Sequence, residues 1–227
     1  VETLGETTVI CSDKTGTLTQ NQMTVNHVWL RHQVYTVSGH GYVNNGHVLL
    51  NDQTVNYEDD PDLKRLMLVA GLNNDTKVQT DPDTHQPKLL GTPTEAALVI
   101  MAEKAGFDVE TVAAKTPRLK ELPFDSVRKR MSTIHQHDAN TLSICVKGSL
   151  SDMLPQCTTI QVDGETRPIT QADLDAINKA NETYAAQGLR SLAIAYREIP
   201  AEADVNKQVA GLTIDNAETD LSFIGLT

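Results

Sequence analysis

The first residues able to do chemistry as a group are Asp13-Lys14-Thr15-Gly16-Thr17-Leu18-Thr19, directly after the β-branched run Thr7-Thr8-Val9-Ile10-Cys11 and Ser12. The run predicts a buried strand feeding a polar loop. Asp13 then sits at the strand's end beside a cation and several hydroxyls. Gly16 has no side chain to keep a phosphate from backbone N–H groups. A carboxylate in such a loop can attack phosphorus, so the segment suits phosphoryl transfer to Asp13. A lone Asp in a loop is ordinarily just exposed; the whole string carries the reading.

Four further segments hold residues that could face a ligand, and each also has an ordinary alternative. In Gly91-Thr92-Pro93-Thr94-Glu95, Glu95 stands where a capping box with Thr92 needs it. Phe124 lies among Asp125 and Arg128-Lys129-Arg130 in a chain with only 4% aromatic residues, a poor setting for core, although a single Phe is usually core. Lys147-Gly148 ends the apolar run Leu142 to Val146; the glycine invites close approach, while a lysine there is usually a surface residue. Arg190 lies between Leu189 and Leu192 at an expected strand start, where burial demands an anionic partner, either a phosphate or a protein carboxylate.

The elements that must position these residues are legible in outline. Strands are expected around Val28 to Leu30, Val34 to Val37, Met131 to Ile134, Leu142 to Val146 and Leu189 to Tyr196, with turn chemistry from Gly39 to Gly46. A first helix opens at Asp60-Pro61 and ends near Gly71, with Leu63, Leu66, Met67 and Ala70 at helical spacing. A second runs from Thr92 to Gly106 with Ala97, Leu98, Met101 and Ala105 as its stripe. A third runs from Thr170 to Gly188 with Leu174, Ile177 and Tyr184 on one side. Early hairpins followed by helices predict an α/β (α+β) fold, an antiparallel sheet with helices packed on it.

Composition removes several function classes. The 227 residues allow one large domain or two small ones. A net charge of −11 repels phosphate backbones, so nucleic acid is excluded as a partner. No apolar run approaches the roughly 20 residues a membrane span requires, and mean hydropathy is −0.31. Cys11, Cys145 and Cys157 are widely spaced and form neither a C-x-x-C pair nor a disulfide framework; His135 and His137 have no nearby Cys, and no structural metal is expected. The start at Val1 suggests an excised piece, and Leu221 to Thr227 reads as a strand after which the natural chain continues.

Asp13 to Thr19, with Val1-Glu2-Thr3-Leu4-Gly5 before it and Asn21-Gln22-Met23-Thr24-Val25 after it, resembles the phosphorylation segment of the P-type ATPases, and the four later segments resemble the nucleotide-binding domain of their type II, calcium-pump-like branch. The resemblance implies that residues 1–22 begin a Rossmann-like phosphorylation domain of the haloacid dehalogenase type. It makes 23–220 the nucleotide-binding domain, a twisted antiparallel sheet flanked by helices, and 221–227 a return strand toward the phosphorylation domain. It assigns Asp13 as nucleophile toward ATP, Lys14 to the same catalytic loop, and Asp13 and Thr15 to Mg2+. Thr94, Glu95, Phe124, Lys129, Met131, Lys147, Gly148, Arg190 and Leu192 are assigned to the nucleotide, with Phe124 stacking on adenine, Glu95 near its amino group and Arg190 on the phosphates.

Related phosphatases carry an Asp as acid and base where Thr15 stands. A hydroxyl cannot perform that proton transfer near neutral pH, so a phosphoaspartate would persist, which favours transport over simple hydrolysis. A soluble phosphatase or phosphomutase and a non-catalytic regulatory module are the competing readings. Calcium pumps often carry Arg where Ser126 stands; Arg128 or Arg130 is the expected substitute. The T-G-D and G-D-G-x-N-D segments that complete the family's catalytic site do not occur in these residues, so the chain is expected to bind ATP without turning it over; with no membrane-spanning run it is expected to be soluble. Its implied partners are ATP, Mg2+ and the phosphorylation, actuator and transmembrane domains of its own pump, and the implied location is the cytoplasmic side of a membrane.

Overall fold

A computed structural model describes residues 22–39, 41–42, 45–80 and 87–227. Asp13, Lys14 and Thr15, the strand expected before them and the proposed phosphorylation-domain segment lie outside the described residues. The described residues open with the hairpin β1 (His27–Leu30) and β2 (Gln33–Val37). Its two-residue turn, Arg31-His32, has φ of 49° and 61°, the left-handed pair that matches the twist of paired strands. Short strands β3 (Val48–Leu50) and β4 (Gln53–Thr54) extend this edge.

Helix α1 (Pro61–Leu72) begins as expected at Asp60, whose carboxylate accepts from the Asp62 and Leu63 amides. A separate ribbon, β5 (Lys77–Thr80) and β6 (Pro87–Leu90), precedes α2 (Pro93–Lys104) and α3 (Val109–Lys115). Then come the long antiparallel strands β7 (Arg118–Asp125), β8 (Arg130–Asp138) and β9 (Thr141–Gly148). The short α4 (Leu150–Met153) leads to the hairpin β10 (Cys157–Val162) and β11 (Glu165–Pro168). Helix α5 (Gln171–Ala186), capped by a reciprocal Thr170–Asp173 box, is followed by β12 (Ala193–Pro200), α6 (Val205–Gly211), α7 (Ile214–Ala217) and β13 (Leu221–Leu226).

The main sheet runs β4-β3-β2-β1-β13-β12-β9-β8-β7, with β10 parallel to the first half of β13 and paired with β11. β13 is therefore central: β12 lies on one side, β10 and then β1 on the other, and all six residues are buried. Leu221–Leu226 closes the sheet, joining the first hairpin to the later strands.

Helices cover both faces. On one, Leu63, Leu66 and Met67 of α1 with Leu98 and Met101 of α2 pack on Val28, Leu30, Ile194 and Ile224; on the other, Ile177 and Tyr184 of α5 and Ala217 of α7 pack with Trp29, Ile144, Val146 and Phe223. Alternate residues of one strand thus feed opposite cores, the period-two rule of strands. No helix among the described residues is long and apolar enough to cross a membrane.

Candidate functional site

Strand register brings the candidate residues to one end of the sheet. Asp125 pairs with Arg130, Arg130 with Gly148, Gly148 with Ala193, Ala193 with Leu226, and Leu226 with Trp29. Along this row Phe124 lies at the end of β7, Lys129 in the turn, Met131 at the start of β8, and Lys147 and Gly148 at the end of β9. Arg190 and Leu192 lie in the loop that enters β12. Thr94 and Glu95 reach the same place from the first turn of α2.

The floor beneath them is a buried ion pair. Lys147 Nζ lies 2.7 Å from Glu95 Oε1 and also donates to the Asn73 carbonyl, with side-chain exposures of only 8% and 10% for Lys147 and Glu95. Burial pulls the Lys147 ammonium below its ordinary value, against the Glu95 carboxylate, which raises it. The surface-lysine alternative is thereby removed. Glu95 does not close a full capping box: its backbone N–H donates to Thr92 Oγ1, while its carboxylate takes Lys147, the Thr92 hydroxyl and the Asp75 amide. Met131 is buried beside this pair, cross-strand from Lys147. Thr94 is half-buried, its hydroxyl 3.4 Å from Met23 Sδ.

Gly148 has a structural reason that the sequence did not suggest. A Cβ there would meet the Lys129 carbonyl at 2.6 Å and Arg130 Cβ at 2.5 Å. The glycine lets β9 lie against the β7–β8 turn, so room for a ligand is not needed to explain it. Asn73 is a second contributor that sequence reasoning missed. Fully buried at the C-terminus of α1, its Nδ2 donates to the Met131 carbonyl at 2.9 Å and the Cys145 carbonyl at 3.0 Å, and its own carbonyl receives Lys147. Only the tertiary fold brings α1 onto those strands.

Above the floor, Phe124 is 60% exposed at the tip of the β7–β8 hairpin. A ring this exposed is not core. Lys129, with φ 47°, holds its ammonium in the open, 3.5 Å from Asp152. Arg128 and Arg130 do not replace the missing arginine at Ser126. Their side chains, 12% exposed, both bind the fully buried Glu218, Arg128 Nη1 at 2.9 Å and Arg130 Nε at 2.7 Å. Neither of these two guanidinium groups is left spare for a phosphate.

Arg190 also departs from expectation. β12 starts only at Ala193, so Arg190 stands in the preceding loop, exposed, and makes no ion pair with the described residues. The expected burial is not found, and among the described residues no carboxylate partners Arg190. Arg190 lines a cavity of 290 Å³ together with Thr94, Leu192, His27, Tyr184 and Thr227; Phe124 and Lys147 lie outside its walls. His27 and Tyr184, which the sequence did not single out, stack there with ring centroids 5.6 Å apart. Among the described residues no group of three or more His, Cys, Asp or Glu is placed to hold a metal ion.

The model of the family described as P-type ATPase, cytoplasmic domain N, matches residues 62–227. The chain is similar to a calcium-transporting ATPase of Bacillus subtilis (strain 168), 34% identical over all of this chain and 24% of that protein. It is 37% identical to the cation-transporting ATPase pma1 of Synechocystis over all of this chain and 24% of that protein. It is also 37% identical to calcium-transporting ATPase 1 of Lactococcus lactis, over all of this chain and 22% of the relative. The chain thus spans about a quarter of the length of these relatives.

Proposed function

Since the chain belongs to the family of P-type ATPase cytoplasmic N domains, we propose that it binds ATP at the Phe124, Lys147 and Arg190 end of its sheet, as part of a pump that uses ATP to move a cation across a membrane. Calcium is the first candidate, because several relatives carry it in their names. The observation that carries this reading is the register row. It brings an exposed aromatic ring, an exposed lysine and the end of β9 with its buried lysine–carboxylate pair to the end of the sheet at which the Arg190 loop enters β12.

The residues fit an adenine nucleotide. The open face of Phe124 offers a stacking surface worth roughly 1–3 kcal/mol for a base. Met131 and Leu192 supply apolar contact, and the Lys147–Glu95 pair offers a hydrogen-bonding edge beneath. Lys129 and Arg190 neutralise the phosphates. In the whole pump the Asp13 carboxylate would attack the γ-phosphorus, forming an O–P bond as the bond to the bridging oxygen breaks and ADP leaves. Asp13 and Thr15, with groups from outside this chain, would hold Mg2+, which would neutralise charge in that transfer. Thr15 cannot act as a base toward water, so the phosphoaspartate lasts.

Titration of the chain with ATP, followed by heteronuclear NMR, tests the reading. Saturable shifts at Phe124, Lys129, Lys147 and Arg190, lost in Phe124→Ala and Lys147→Ala, are the expected result. A folded chain that shows no shift at millimolar ATP would overturn it.

A further inference from the structure

Glu218 follows α7 at the far end of the chain from the β7–β8 turn in sequence, yet it is the turn's buried anchor. Its carboxylate is fully buried and accepts from Arg128 Nη1 at 2.9 Å, Arg130 Nε at 2.7 Å and Ser132 Oγ at 2.5 Å. Arg128 acts as a strut. The same guanidinium donates to the carbonyl of Pro123, the residue before Phe124, and to the carbonyl of Arg130, the residue after Lys129. One side chain therefore ties both flanks of the turn to a buried charge.

The turn between those flanks is built to be held. The Asp125 carboxylate accepts from the Val127 and Arg128 amides at 2.9 and 3.0 Å, and the Lys129 amide donates to the Asp125 carbonyl at 2.7 Å. The Lys129 carbonyl receives the Ser149 amide at 2.9 Å, which secures Lys129 in its left-handed conformation against β9. Without Arg128, the exposed segment Pro123 to Val127 would depend on the Asp125 bonds alone. A buried carboxylate that serves two arginines has no need to sit under an exposed loop unless the loop's shape matters.

We propose that Glu218 and Arg128 are positioning residues, which fix the β7–β8 turn so that Phe124 and Lys129 meet a nucleotide already ordered. The inference rests on the nucleotide reading above and adds to it the residues that prearrange the site. Ligand binding to an ordered turn avoids the cost of immobilising two side chains, so loss of the strut should weaken binding about tenfold.

Arg128→Gln is the variant of choice, since Arg130 keeps its bond to Glu218 and the fold retains that anchor; Glu218→Gln is the companion. NMR spectra of the unliganded proteins come first, then titrations with ATP and with AMP. Expected are shifted and broadened signals of Phe124 and Lys129 in unliganded Arg128→Gln, unchanged amides in α1 and α5, about tenfold weaker binding of ATP, and weaker binding of AMP as well, through Phe124. Weaker ATP binding with AMP unaffected would overturn the proposal, because Arg128 would then be a phosphate ligand. A lower melting temperature with Phe124 and Lys129 signals unmoved would overturn it too, leaving a purely structural pair. If the unmodified chain bound neither nucleotide, the nucleotide reading would fail, and the unliganded spectra would still decide for or against the strut.

Discussion

Lys147 carries its ammonium into a site where the Glu95 carboxylate and the Asn73 carbonyl receive it. Burying such a charge without partners would be prohibitive. The pair is stable because each member neutralises the other and the Asn73 carbonyl accepts a further hydrogen bond from Lys147. Around it, Lys129 and Arg190 are exposed among the described residues, whereas Glu218 holds both Arg128 and Arg130. That division predicts the effect of restoring an arginine at the exposed turn position 126. Ser126→Arg should tighten ATP about two- to fivefold, the worth of an exposed charge pair, and leave AMP unchanged. Isothermal titration with the two nucleotides distinguishes this from a general charge effect, which would move both.

The elements meet at the site through contacts that few sequence rules describe. Helix α1 delivers Asn73 to the seam of β8 and β9, where its amide spans two strand carbonyls. Asn73→Ala should cost about 3 kcal/mol in urea denaturation, as two buried carbonyls lose their donor. A loss under 1 kcal/mol would mean that water replaces the amide without penalty. The hairpin β10–β11 turns on Asp163-Gly164, with φ of 54° and 81°, a dipeptide that marks such turns in sequence. Its strands escaped notice because Thr158, Gln161 and Thr166 dilute the apolar pattern. β7 was equally obscure: Arg118, Lys120 and Glu121 lie on an edge strand, where Lys120 bonds the carbonyls of Val209, Ala210 and Leu212 and so covers the edge.

For the molecule as a whole, a histidine far from the exposed tip is expected to contribute to acid stability. His135 Nδ1 lies 3.1 Å from the Thr116 carbonyl, which can only accept, so Nδ1 carries the hydrogen and the buried Nε2 is a bare acceptor with no partner among the described residues. Burial pulls its pKa from 6.5 down to about 4. Between those values the unfolded chain binds the extra proton and the folded chain does not, so stability falls as pH drops through that window. The gap is worth on the order of 3 kcal/mol. His135→Asn, which keeps an N–H for Thr116, should flatten that decline in urea titrations near neutral pH and near pH 4.5; equal declines in both proteins would refute the assignment. The sequence by itself determined the helix starts at Asp60, Thr92 and Thr170, the strands that carry Met131 and Lys147, and the motif residues, because caps, turns and hydrophobic period are local. Only the tertiary structure decided that β13 closes the sheet, that Glu95 and Lys147 neutralise each other, and that Arg128 and Arg130 serve Glu218. Those outcomes depend on which buried charges meet, and a charge chooses its partner by distance in space.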